Sequence, residues 1–172
     1  LSVAEMLFLP DEPLWAEFRA RWKAARPPRI VVHGGYGKEN IGIVNATGCS
    51  TVYASTYPYN PYLVPWTNSL FENAPADAMG IRARWDQMGW KHKKLWVIGG
   101  DGAMLDIGFQ SLSRMLASGM DIKVLVLDTQ VYSNTGGQSS TASYMGQNTK
   151  FTVHGKVIPG KIERRKELAQ IC

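Results

Sequence analysis

Asp101 and Thr129 are the residues whose types and surroundings best suit chemistry. Asp101 stands between two glycines in the segment GGDG, and Thr129 begins the polar segment that runs from Asp128 to Ser140. A carboxylate, a hydroxyl, a backbone carbonyl and phosphate oxygens together suit Mg2+, which prefers octahedral oxygen ligation. Flanking glycines let a ligand approach the backbone, and a helix start offers unpaired N–H groups to a phosphate. We therefore predict a metal-bridged diphosphate site, although GDG alone can also simply turn the chain.

The elements around these residues form a strand, a helix and a second strand. Lys94 to Ile98 (KLWVI) is predicted to be a strand, GGDG a tight turn, and Ala103 to Ser118 a helix. Ile122 to Leu127 (IKVLVL) is nearly continuously apolar, which is typical of a parallel strand covered on both faces. In such a unit both polar segments follow the carboxyl ends of parallel strands, where open α/β sheets bind ligands.

The rest of the chain is predicted to add an N-terminal segment and a further strand. Glu12 to Ala25 places apolar side chains at helical spacing, and Leu70 to Trp90 is predicted to be partly helical. Ile41 to Asn45 (IGIVN) is predicted to be a strand, with Cys49 shortly after it. We expect residues 1–40 to hold the helix and a poorly assigned segment, and residues 41–172 to form one domain.

Composition excludes several classes of protein. Hydrophobic residues make up 45% of the 172 residues, enough for a packed core, and no run of 18 apolar residues predicts a membrane span. The net charge is +5, and the basic residues are scattered apart from the segments KHKK and KIERRK. This distribution favours a solvated face over docking of an acidic partner or an anionic ligand. No nucleic-acid motif is present. Two cysteines and no secretory signal predict a reducing, cytoplasmic location.

Three segments carry a resemblance to a known family. The segment from Gly100 to Asn134 resembles the cofactor motif of thiamine-diphosphate enzymes. The sequence from Gly100 to Ser140 is similar to that of pyruvate:ferredoxin (or flavodoxin) oxidoreductases. The segments NATGCS, from Asn45 to Ser50, and WTNSLFEN, from Trp66 to Asn73, resemble the same family. The resemblance covers about residues 41–140. It implies an α/β thiamine-diphosphate-binding fold, mainly a parallel sheet with helices on both faces.

The resemblance also implies roles for individual residues. Asp101, Thr129 and the backbone carbonyl of Val131 would hold Mg2+, and Asn134 would lie near the reacting carbon of the cofactor and the bound oxoacid as the catalytic residue. Cys49 matches the family cysteine that binds the 4Fe-4S cluster nearest to the cofactor. The full set of implied cofactor-binding residues is Cys49, Gly100, Asp101, Gly102, Ala103, Thr129, Gln130, Val131, Tyr132, Ser133 and Asn134.

The implied activity is oxidative decarboxylation of pyruvate with CoA to acetyl-CoA and CO2, with electrons passed to ferredoxin or flavodoxin. The remaining domains of such an enzyme would be needed for this reaction, and the complete enzyme is expected to be a homodimer. One departure from the family is that no CxxC precedes NATGCS, and Cys172 is predicted to be a core cysteine rather than a cluster ligand. The chain alone is therefore expected to be inactive. Two alternatives stay open: another 2-oxoacid oxidoreductase, and a non-catalytic remnant that acts as an interaction module.

Overall fold

A four-stranded parallel sheet forms the centre of the molecule. The computed structural model describes residues 37–54, 62–152 and 160–172, so the predicted helix from Glu12 to Ala25 lies outside the described residues. The strands are β1 (Ile41–Ala46), β2 (Trp66–Ser69), β3 (Lys94–Gly100) and β4 (Ile122–Leu127), in the order β2-β1-β3-β4. All three pairings are parallel. The predicted α/β class is confirmed.

Helices and a short hairpin surround this sheet. The helices are α1 (Cys49–Ala54), α2 (Ala74–Gln87), α3 (Phe109–Ala117) and α4 (Leu168–Ile171), with a 3-10 turn at Lys38–Asn40 and a π-helical segment at Gly102–Ile107. After β4, strands β5 (Val131–Tyr132) and β6 (Gln138–Ser139) pair as an antiparallel hairpin within the predicted polar loop. None of the helices in the described ranges is long and apolar enough to cross a lipid bilayer.

The core lies mainly between the sheet and two helices. One face of the sheet, including Val44, Leu95 and Val97, packs with Ala78 of α2 and Leu112 of α3 in a single buried cluster. On the opposite face, Ile41, Ile43, Val64 and Ile98 form a second buried cluster with Trp66 and Trp96 packed against it. Strand β1 is one of the two inner strands of the sheet, and every one of its residues is buried.

The structure corrects the predicted GGDG turn and the uninterrupted helix after it. Gly99 and Gly100 complete β3, and Asp101 is already helical. The helix then divides at Gly108 into the π-helical segment and α3. A Cβ at Gly108 would lie 2.1 Å from the carbonyl oxygen of Ala103, so a larger residue would not fit this close approach. The widened turn precedes this glycine, as π-helical segments often do at functional sites.

The structure also corrects the prediction that β4 is covered on both faces. Val124 and Val126 pack against the core, whereas Leu125 on the opposite face is 44% exposed and Lys123 is exposed. Among the described residues β4 pairs only with β3, so it is an edge strand. An apolar run alone does not reveal whether a strand is central or lies at an edge.

A buried arginine fixes the connection from α2 to β3. Arg82 is 1% exposed and donates to the carbonyl oxygens of Lys93 at 2.8 Å and Trp90 at 3.1 Å. It also pairs with Asp86 at 2.7 Å. These contacts position the start of β3, at the opposite end of the strand from Asp101.

Candidate functional site

The carboxyl ends of β1, β3 and β4 meet at one edge of the sheet. The chain leaves β1 toward β2 on one side and leaves β3 toward β4 on the other, so the strand order changes direction between β1 and β3. Crevices at such a change of direction are where open α/β sheets bind ligands. Cys49, Asp101 and Thr129 follow these three strands, and all of them line one cavity of about 40 Å3.

Three oxygen atoms converge at this edge as a possible metal site. Asp101 is 1% exposed, and the hydroxyl oxygen of Thr129 lies 3.0 Å from its Oδ1 and 3.1 Å from the carbonyl oxygen of Val131. A hydroxyl has one hydrogen, so it can donate to only one of these two acceptors at a time. A hard cation would satisfy all three oxygens, and this donor set fits Mg2+.

The glycines of the GGDG segment shape the space beside these oxygens. A Cβ at Gly100 would meet no atom within 4 Å, so the end of β3 borders open space. A Cβ at Gly102 would lie 2.0 Å from Cε1 of Tyr132, because the tyrosine ring packs directly on the backbone there. Gly102 and Ala103 begin the π-helical segment, where free backbone N–H groups suit a phosphate.

The loop that carries Thr129 and Val131 has an uncommon backbone conformation. Gln130 between them has a φ of 64°, which is left-handed and costs free energy in a residue other than glycine. The side-chain hydroxyl of Ser143 donates to the carbonyl oxygen of Gln130 and supports this conformation. Strain of this kind is often found at functional sites.

Two polar residues that the sequence analysis missed, Ser140 and Asp106, form hydrogen bonds that support the site residues. Ser140 donates to Oδ2 of Asp101. Asp106 accepts from the hydroxyls of Tyr132 and Thr141 and from the backbone N–H of Thr141 at 3.3 Å. Burial, the hydrogen bond to Asp106 and the nearby negative charges raise the pKa of Tyr132 above its usual range, so the phenol stays protonated. The only sequence signal for Asp106 is a carboxylate between the apolar residues Leu105 and Ile107.

Cys49 and Asn134 meet across the crevice. The backbone N–H of Asn134 donates to Sγ of Cys49, with 3.1 Å between the nitrogen and sulfur atoms. Ser133 and Asn134 are exposed in the hairpin turn, and Cys49 is half-buried. The structure therefore brings Cys49 to the same edge of the sheet as Asp101 and Thr129.

Cys172 lies elsewhere, and its predicted burial is wrong. It is exposed and lines a different cavity, formed in part by Leu112, Val124 and Arg165. Short helix α4 packs Leu168 against the core, but its last residues remain exposed.

Across residues 37–54, 62–152 and 160–172, no three side chains of His, Cys, Asp or Glu come together as a metal site. Of the three converging oxygens, only Oδ1 of Asp101 belongs to a carboxylate.

A family model described as the thiamine pyrophosphate enzyme, C-terminal TPP binding domain, matches residues 46–171. The chain belongs to this family. Thiamine pyrophosphate is the molecule also called thiamine diphosphate, so the predicted family is confirmed. The matched range of this thiamine pyrophosphate-binding domain includes every site residue described above.

Relatives of this thiamine pyrophosphate-binding domain share most of its length. It is 42% identical over 138 residues to pyruvate synthase subunit PorB of Pyrococcus horikoshii, an alignment that covers 80% of this chain and 41% of that subunit. It is 29% identical over 206 residues to the pyruvate-flavodoxin oxidoreductase of Rhodospirillum rubrum, which covers 78% of this chain and 17% of that protein. The chain thus spans about two fifths of the PorB subunit and a smaller part of the longer enzyme.

A solved structure shows the same fold. The 2-oxoglutarate:ferredoxin oxidoreductase from Magnetococcus marinus, determined with 2-oxoglutarate, coenzyme A and succinyl-CoA bound, aligns with a TM-score of 0.58 and 23% identity. The alignment covers 75% of this chain and 39% of that chain. At this identity the similarity shows the fold alone, and it agrees with the parallel sheet and its helices.

Proposed function

We propose that this chain binds thiamine diphosphate and Mg2+ as the cofactor-binding part of a pyruvate:ferredoxin or pyruvate:flavodoxin oxidoreductase. The observation that carries the proposal is the convergence of the Asp101 carboxylate, the Thr129 hydroxyl and the Val131 carbonyl at the carboxyl edge of the sheet. This edge also borders the open space beside Gly100. The family match and the names of the relatives support the same function.

Each part of the site has a role in this proposal. Asp101, Thr129 and the carbonyl of Val131 would hold the metal ion, and the backbone of Gly100, Gly102 and Ala103 would bind the diphosphate. When bound, thiamine diphosphate supplies an electron sink for the cleavage of a carbon–carbon bond. The backbone N–H of Asn134 contacts Cys49, and its side chain would donate a hydrogen bond to the bound 2-oxoacid and orient it. The remaining members of the implied cofactor-binding set are Gln130, Tyr132 and Ser133, in the same loop.

The complete reaction requires more than this chain. We propose that it is the oxidative decarboxylation of pyruvate with CoA to acetyl-CoA and CO2, with ferredoxin or flavodoxin as the electron acceptor. The chain spans 41% of the PorB subunit that it matches. Other domains or subunits would provide the rest of the active site, and we propose that the complete enzyme is a cytoplasmic homodimer. By itself the chain is expected to bind the cofactor without turnover.

The residues present do not fit a 4Fe-4S cluster held by this chain alone. Such a cluster takes four thiolates as a rule. The sequence has two cysteines, and Cys172 lines a cavity that does not include Cys49. Cys49 could be one ligand of a cluster in the complete enzyme, if other ligands came from outside this chain.

The purified 172-residue chain is therefore expected to be colourless, because it lacks the thiolates that a cluster needs. After reduction with dithionite, electron paramagnetic resonance should show no cluster signal. The absorbance near 400 nm should likewise stay at the level of a Cys49→Ser variant, which serves as the matched control. A stoichiometric cluster signal that disappears in this variant would contradict the prediction.

A calorimetric titration with thiamine diphosphate tests the proposed function. We expect saturable binding at one site in the presence of Mg2+, and affinity at least about tenfold lower in EDTA, because the negatively charged diphosphate would need the metal ion to bind beside the Asp101 carboxylate. Thiamine, which lacks the diphosphate, is the control ligand and should bind much more weakly. Absence of binding would refute the proposal and would instead favour a non-catalytic interaction module. Comparing pyruvate with 2-oxoglutarate as substrates of the complete enzyme would separate the two kinds of oxidoreductase.

A further inference from the structure

A fully buried asparagine lies directly behind the Cys49 segment. Asn45 is 0% exposed and stands at the carboxyl end of β1, opposite Asn68 of β2. Burying a side-chain amide costs folding free energy unless its hydrogen bonds are made. The hydrogen-bond partners of Asn45 therefore indicate which segments it stabilises. Neither the metal site nor the catalytic role proposed for Asn134 uses this residue.

Every polar atom of the Asn45 side chain has a partner. Nδ2 lies 2.9 Å from Oδ1 of Asn68 and 3.2 Å from Oγ1 of Thr51, and Oδ1 accepts from Ser50 Oγ at 3.1 Å. Nδ2 is also 3.2 Å from the carbonyl oxygen of Ala46. The amide thus connects β2 to the first turn of α1.

These partners lie on both sides of Cys49. Ser50 directly follows Cys49, and Thr51 Oγ1 accepts from the backbone N–H of Gly48, directly before it, at 3.2 Å. The residues on both sides of Cys49 are therefore linked to Asn45, Gly48 through the Thr51 hydroxyl and Ser50 through its own hydroxyl. Its sulfur atom in turn accepts the Asn134 N–H at 3.1 Å.

We propose that Asn45 is a positioning residue, which holds Cys49 against the hairpin turn that carries Asn134 and so sets the width of the cofactor crevice. Asn45 acts through Ser50 and Thr51 on Cys49, and through Cys49 on Asn134. The inference rests on the proposed function only in treating the crevice as the cofactor site. The chain of contacts itself does not depend on that function.

Amide hydrogen exchange on the full 172-residue chain, measured by nuclear magnetic resonance, tests this proposal. In Asn45→Ala and in Thr51→Val we expect the Asn134 amide to exchange about fivefold faster than in the wild type, because one hydrogen bond contributes roughly 1 kcal/mol. Thr51→Ser keeps the hydroxyl and should restore the wild-type rate at Asn134. Thr51→Val also keeps the test informative if Asn45→Ala does not fold.

A control separates positioning from general loss of stability. Arg82→Met removes buried hydrogen bonds at the opposite end of β3, so it should speed exchange across the core without a selective effect at Asn134. An unchanged Asn134 rate in Thr51→Val would overturn the proposal. The proposal would also be overturned if amide exchange at Asn134 and in the core accelerated equally in Asn45→Ala, Thr51→Val and Arg82→Met. Cofactor titration of the wild type is a separate measurement, so failure to bind thiamine diphosphate would refute the proposed function and leave the exchange result valid.

Discussion

Replacing Asp101 with alanine is expected to abolish Mg2+-dependent binding of thiamine diphosphate, with a loss of affinity of at least about a hundredfold. Asp101 supplies the only carboxylate among the three converging oxygens, and Thr129 and Val131 contribute no full negative charge. Binding of a hard cation depends on such charge, and about 2.7 kcal/mol corresponds to a hundredfold change in affinity. Calorimetric titration of the variant with thiamine diphosphate and Mg2+ measures the effect directly.

The control for this experiment is Asp128→Ala. Asp128 lies at the same edge of the sheet, but it is exposed and pairs with Arg165 at 2.5 Å. Its loss should change the affinity by no more than about twofold, since its carboxylate is not among the three converging oxygens and is already paired with Arg165. Circular dichroism and urea unfolding would show that both variants fold. An Asp101→Ala chain that binds with wild-type affinity would refute the metal site.

The second large effect is expected for Asn134→Ala in the complete enzyme. Turnover of pyruvate should fall about a hundredfold, as is typical when one hydrogen-bond donor to the reacting group is removed. Cofactor affinity should change by less than about threefold, because Asn134 lies beyond the three metal ligands in the loop. Alanine keeps the backbone N–H that contacts Cys49, so the variant tests the side chain alone.

Steady-state kinetics and a cofactor titration on the same preparation give both quantities. Asn148→Ala is a matched control, because Asn148 is an exposed asparagine in the segment after the hairpin. It should leave turnover and affinity close to the wild-type values. A large loss of cofactor affinity with normal turnover in Asn134→Ala would assign Asn134 to cofactor binding instead.

The strands and the position of the site were predictable because their signals are local. The apolar runs that became β1, β3 and β4 are each followed directly by the polar residues that form the crevice. The division of the helix at Gly108 was not predictable, because it depends on a contact with the carbonyl of Ala103 that only the folded backbone creates. The exposed face of β4 likewise depends on which elements reach it in the folded chain.

The supporting network behind the site was missed for a related reason. Thr141 lies 35 positions from Asp106, and Ser140 lies 39 positions from Asp101. Hydrogen bonds over such separations leave no periodic pattern in a single sequence. In the sequence Asn45 stands out only as part of NATGCS, whereas its burial and its four partners are visible only in the structure.

The edge position of β4 has a consequence for the behaviour of the chain in solution. An edge strand presents unpaired backbone groups that can pair with a strand of another molecule, and the exposed Leu125 adds an apolar contact to that edge. Lys123, in the same strand, is exposed and pairs with Asp121 at 2.5 Å, and these charged groups oppose such self-association. Among the described residues β2 and β4 are the two edge strands, and self-association through β4 should increase when the charge of Lys123 is removed.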